Sequence, residues 1–230
     1  MEPEIKENIL KNPEEEEINE KKSNKNFLII IGVIFILFIA VFSIKLFIKP
    51  KIVTIDGMIT KTLQGETNPE TNYMYNGYVF VKVRNLWYTK WQYEDNILNI
   101  PLHYGPLELE DVIAEGELDE RFNTGKYYIT FDPLGEDFAH VAVAAGELGL
   151  NLVKGMGAKI TAACIQNDSN VCIDRAIITC DNTNESVIYI KESEDPGIIM
   201  DGNCLILQGN EMELLKVVDR VVLQLYGIME

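Results

Sequence analysis

Phe27-Leu-Ile-Ile-Ile-Gly-Val-Ile-Phe-Ile-Leu-Phe-Ile-Ala-Val-Phe-Ser-Ile44 runs for 18 residues without a charged side chain. Lys45 interrupts, and Leu46, Phe47 and Ile48 carry the run on to Lys49 and Pro50. At 1.5 Å of rise per residue, about 20 apolar residues span a hydrocarbon core of roughly 30 Å. A lysine that close to an end reaches the interface with its head while its stem stays in the apolar layer. A helix on a soluble core would show a polar stripe, and this stretch is apolar all round. Residues 27–48 are therefore expected to form a transmembrane helix. A cleaved signal peptide is the rival reading. It fits poorly, because a polar tail precedes the run and the run exceeds an h-region of roughly 7–15 residues.

On either side of that stretch the composition changes. Residues 1–26 carry Glu14-Glu-Glu-Glu17 and no apolar periodicity, so a disordered acidic tail is expected. Residues 49–75 read as a connector with a possible short strand from Ile52 to Ile59. Residues 76–230 read as one folded domain. The whole chain has 230 residues, 36 Asp and Glu against 20 Lys and Arg, and a net charge of −16. That balance excludes broad binding to nucleic acid, which needs clustered cations to displace counterions from phosphates.

The basic flanks leave orientation open, with Lys21, Lys22 and Lys25 on one side and Lys45, Lys49 and Lys51 on the other. The cysteines decide it. Cys164, Cys172, Cys180 and Cys204 all lie in the C-terminal domain. Four cysteines in one domain suggest disulfides, with three possible connectivities. Local geometry favours Cys164–Cys172 and Cys180–Cys204. The turn-forming residues Ile165 to Val171 would fold a hairpin that brings the first two together. Zinc is disfavoured because no C-x(2–4)-C pair is present. A catalytic thiol at Cys180, served by His103 or His140, is the third reading. The triplets Asn167-Asp-Ser169 and Asn184-Glu-Ser186 match glycosylation acceptors and agree with an outer location. The tail is thus expected in the cytoplasm and the C-terminal domain outside.

Within that domain the pattern is strand-like at first. Tyr78 to Val83, Leu86 to Tyr93, Ile97 to Leu102, Leu118 to Phe122 and Tyr127 to Phe131 are strand candidates. Asp132-Pro133 reads as the start of a helix with Leu134, Phe138, Val141, Ala145, Leu148 and Leu152 on its apolar face. Strands are then expected at Ile160 to Gln166, Cys172 to Cys180, Val187 to Lys191, Ile198 to Met200 and Cys204 to Leu207. Asn210 with Glu213 suggests a capping box for a last helix that Gly227 ends. Short turns between the later strands point to antiparallel pairing. The expected fold class is α+β: a transmembrane helix, then a largely antiparallel sheet domain with two main helices.

No phosphate-binding loop, dinucleotide fingerprint, nucleophile elbow or zinc-helix motif is present. Neither a cofactor nor a metal site, nor a catalytic residue, is expected from the spacing. The acidic residues Glu108, Glu110, Asp111, Glu115, Glu117, Asp119 and Glu120 read as a solvated surface. Trp87, Tyr88, Trp91 and Tyr93 form either a protein- or sugar-binding surface or one buried face of a sheet.

Tyr127-Tyr-Ile-Thr-Phe-Asp-Pro133, Ile177-Ile-Thr-Cys-Asp181, Gly202-Asn-Cys204 and the closing Asp219-Arg220 with Tyr226-Gly-Ile228 resemble single-pass archaeal membrane proteins of unknown function. The resemblance covers most of the C-terminal domain and implies an anchor, but no activity and no catalytic residue. The expected function is a membrane-anchored extracytoplasmic binding or assembly module. Its partners are the lipid bilayer, through residues 27–48, and an envelope or membrane protein. The alternative is an extracytoplasmic hydrolase or transpeptidase using Cys180 with a histidine, or an acidic pair.

Overall fold

The computed structural model describes residues 27–43, 53–93, 96–167 and 170–230. The expected tail, residues 44–48 at the end of the expected membrane segment and Asp168-Ser169 of the first glycosylation triplet lie outside them. The chain divides into two units at residues 52 and 53.

In the first unit, helix α1 covers residues 27–43. Its large apolar side chains are exposed along the whole length, from Phe27 at 62% to Phe42 at 59%. Among the described residues, no helix is long and apolar enough to cross a membrane.

The second unit opens with helix α2 (Ile55–Leu63), where a strand was expected. Thr54 decides the matter: its hydroxyl accepts the Gly57 N–H and caps the helix. Four strands follow: β1 (Asn72–Tyr75), β2 (Tyr78–Val83), β3 (Leu86–Tyr93) and β4 (Asn96–Leu102). They pair antiparallel in sequence order. Asn76-Gly77 and Arg84-Asn85 supply two-residue turns, with positive φ at all four positions. Such turns match the twist of the strands they join. Strand β1 falls inside the stretch expected as connector.

The second sheet has seven strands: β5 (Ala114–Leu118), β6 (Lys126–Phe131), β7 (Lys159–Cys164), β8 (Ala176–Ile177), β9 (Ser186–Glu192), β10 (Gly197–Gly202) and β11 (Cys204–Gly209). Their order is β5-β10-β11-β9-β6-β7-β8. Only β10 and β11 pair antiparallel; the other neighbours are parallel. The α+β class and the antiparallel first sheet thus agree with expectation, and the larger sheet departs from it. Its central strands show why. Val187, Ile188 and Ile190 of β9 are all buried, the near-continuous burial of a parallel strand covered on both faces.

Two other strands expected from the sequence are not formed. Asp119 accepts the Arg121 N–H, which bends Glu120–Phe122 into a 3-10 turn beyond β5. Most of Cys172 to Cys180 is loop: a 3-10 turn at Asn170–Cys172, then only β8.

Helix α3 (Phe138–Met156) joins β6 to the parallel β7, and helix α4 (Glu211–Leu225) closes the chain. The first of these starts six residues after Asp132, not beside it. Asp132 instead accepts the Leu134 N–H, while the Glu192 carboxylate accepts from Glu136 and Asp137. Those side chains take the backbone donors that a helical turn would use. At the other end Gly157 adopts the left-handed conformation, and the Ala158 N–H returns to the Leu152 carbonyl.

The final helix is buried nearly all round, through Leu214, Leu215, Val217, Val218, Val221, Val222 and Leu223. It packs on β11 and β10 on one side. Toward the first sheet, Tyr226 meets the ring of Trp91 and Asp219 binds the chain beyond β4. Asn210 precedes this helix but makes no side-chain cap bond, so no capping box forms. Asp137 takes that role by accepting the Glu211 N–H.

Candidate functional site

A strand sends alternate side chains to opposite faces. On β3 this separates Trp87 and Trp91 from Tyr88, so the four aromatics cannot make one contact surface. Trp87 is 2% exposed. Its indole N–H donates to Glu108 at 2.8 Å, and its ring meets Tyr73 edge-on at 5.0 Å. Trp91 is half-buried between Tyr78 and Tyr226. Tyr88 is half-buried on the other face. The side chain of Tyr93 lies outside the described residues. The two tryptophans pack against the aromatic side chains of neighbouring elements.

The cysteines pair as Cys164–Cys172 and Cys180–Cys204. No cysteine is free. Part of the segment expected as a hairpin lies outside the described residues; Asn170–Cys172 is a 3-10 turn, and the two Cα atoms stand 6.1 Å apart. The bond at Cys180 removes the thiolate that a cysteine nucleophile needs. His140 is engaged elsewhere, its Nδ1 2.6 Å from Asp137.

Three of the acidic residues of 108–120 are held by separate partners. Glu108 accepts from Trp87 and Gly105, Asp111 meets Lys216 and Asp119 meets Arg121.

The structure instead brings together three groups from distant parts of the chain. His103 follows β4, Glu147 lies mid-way along α3, and Asp219 lies mid-way along α4. Each presents a donor atom, all within 4.8 Å of one another. Asp219 is 3% exposed. One of its oxygens accepts the His103 N–H at 2.7 Å and the Tyr104 N–H at 2.9 Å. This pins the loop and sets where the His103 side chain stands. His103 Nδ1 is 3.3 Å from Glu147, with the two side chains 23% and 37% exposed. Nδ1 is buried at this contact.

Burial drives the electrostatics here. It pushes the Asp219 carboxyl well above the ordinary carboxylate range, with the Glu147 charge adding to it and the Tyr104 and His103 amides opposing. The Glu147 carboxyl is also raised by burial, while His103 pulls it back. One imidazole and two carboxylates at this spacing can share a proton or hold a cation.

Sequence reading singled out His103 but not its partners. A signal for Asp219 was present. It sits three residues before Val222 and four after Leu215, a carboxylate within the apolar face of a helix. Glu147 carried no such mark.

A second feature lies on the outer side of α3. Val143, Leu150, Val153 and Met156 are exposed. Beside them, an open groove of about 440 Å³ is lined by Phe131, Phe138, Ala142, Ile160, Val171 and Arg175 among others. The Arg175 guanidinium stands 5.4 Å from the Phe131 ring centroid at this groove.

No protein-family model, curated protein or solved structure matches the chain.

Proposed function

We propose that the chain is a membrane-anchored module of the cell envelope, whose disulfide-closed C-terminal unit binds or assembles proteins outside the cytoplasm without catalysis. Residues 27–48 are the anchor, and the tail before them lies in the cytoplasm. The observation that carries this reading is a charge-free helix with its apolar side chains exposed, on the same chain as a unit in which every cysteine is bridged. Exposed apolar side chains along a whole helix need lipid or protein around them. Disulfides persist in oxidising compartments. The resemblance to single-pass archaeal membrane proteins implies the anchor alone.

The contact surface in this reading is the exposed side of α3 with its apolar groove, and the occupant is another envelope protein. Contiguous apolar surface rimmed by polar residues marks protein contacts on soluble domains. The test places a photocrosslinking residue at Val143, Leu150 or Val153 in the full chain in native membranes. One defined envelope-protein adduct from these positions, and none from Tyr88, is the expected result. Equal or absent labelling at both faces removes the reading. Thiol alkylation of intact cells checks the topology: four protected, bridged cysteines are expected, and four free thiols contradict an outer location.

A further inference from the structure

We propose that His103, Glu147 and Asp219 form a binding site for a divalent first-row transition metal, with zinc the best fit, which ties α3, α4 and the end of β4 together. The inference does not depend on the membrane reading.

The donor set comes first. An imidazole nitrogen and two carboxylates suit zinc and its neighbours, whereas calcium takes six to eight oxygens and magnesium keeps most of its water. All three donor atoms converge within 4.8 Å. Ligands at about 2.0–2.2 Å from a tetrahedral zinc stand roughly 3.3–3.5 Å apart. His103 Nδ1 and Glu147 are separated by 3.3 Å. A common metal fits that separation.

Charge points the same way. Asp219 lies in the interior, and Glu147 is partly buried beside it. No Lys or Arg forms an ion pair with Asp219 among the described residues. A divalent ion balances both carboxylates. Support around the ligands is also present. Asp219 is held by two backbone amides, the kind of outer contact that fixes a metal ligand in place. His103 and Glu147 are partly exposed, which gives an ion a route in and leaves a fourth position for water.

The test uses the full chain in detergent, stripped with a chelator. Cobalt(II) is titrated in and followed by its visible absorption, then displaced with zinc. One equivalent of cobalt with the spectrum of a tetrahedral nitrogen–oxygen site, displaced by zinc and not by magnesium or calcium, is expected. His103→Gln and Glu147→Gln should each weaken zinc binding by at least about 10-fold. Both side chains are partly exposed, so the fold should survive either change, and circular dichroism checks that it does. Absence of cobalt binding to the parent chain overturns the proposal without any variant. Binding that survives both substitutions, or that calcium matches, overturns it as well.

Discussion

In the four-stranded sheet each strand pairs with its neighbour in sequence, and two residues suffice to turn from β1 to β2 and from β2 to β3. In the seven-stranded sheet, β5 lies beside β10, β11 beside β9, and β9 beside β6. Half of its pairings therefore join strands that other strands separate along the chain. The first sheet gains its contacts from short loops that cost little entropy to close. The second must close long loops before its parallel pairs contribute anything, which makes such topologies slow to form. Its two disulfides belong to this difference: both start or end at its strands or the loops between them. None is found in the local sheet, where turn chemistry already sets the register.

The largest expected effect follows from that asymmetry. Cys180–Cys204 spans 24 residues, and Cys164–Cys172 spans 8. In the loop-entropy model these separations correspond to about 3.5 and 2.5 kcal/mol. Replacing Cys180 and Cys204 together by Ser is expected to lower stability by about 3.5 kcal/mol in urea unfolding of the full chain. Hydrogen exchange then tests the comparison itself. Protection in β9 to β11 should fall more than in β2 and β3. Equal loss in both sheets means that α4, which touches both, makes them one cooperative unit.

The same contrast explains what could be read beforehand. Strands β2 to β4 were legible because alternation and Asn-containing turns are local signals. The disulfide pairing was legible for the same reason, since short separations favoured it. The large sheet was legible as strands and not as an order. Short turns such as Asp201-Gly-Asn203 announced the β10–β11 hairpin, but nothing nearby announces that β11 inserts between β9 and β10. The candidate site is the extreme case. Its three residues come from the end of β4, from α3 and from α4, so no spacing rule connects them. The helix starts failed differently. Asp132 and Asn210 are plausible caps by type, but Glu192 and Asp137 arrive from elsewhere to accept the bonds.

Two glycines sharpen the comparison at smaller cost. Gly77 and Gly116 have φ of +84° and +87°. At Gly77, in the local turn, a Cβ would meet nothing within 4 Å. Gly77→Ala should therefore cost about 1 kcal/mol, from backbone conformation alone. Gly116 lies on β5, and a Cβ there would run into the Met200 carbonyl of the parallel neighbour β10. The loss expected for Gly116→Ala is about 2–3 kcal/mol, with β5 peeling from the sheet. Thermal melts of the two variants give the ranking. If they come out equal, close approach in the long-range sheet is not what constrains Gly116.

The smallest effect lies where both helices begin. Asp137 stands at the start of α3, with one oxygen 2.6 Å from His140 Nδ1 and the other accepting the Glu211 N–H of α4 at 2.7 Å. The bond from His140, supported by the Glu211 amide, holds the Asp137 carboxyl below the usual carboxylate range. A folded value below the unfolded one, about 3.9, means a contribution to stability that is complete above that pH. It is lost as the pH falls through the folded value, because the protonated carboxyl no longer accepts from both partners. Asp137→Asn should cost about 1 kcal/mol at neutral pH, the usual scale for a helix cap. The gap between parent and variant in urea unfolding should then close below pH 4. A gap that stays constant down to pH 2 would mean that the carboxylate charge does not matter, and that the two helices are joined at this end by packing alone.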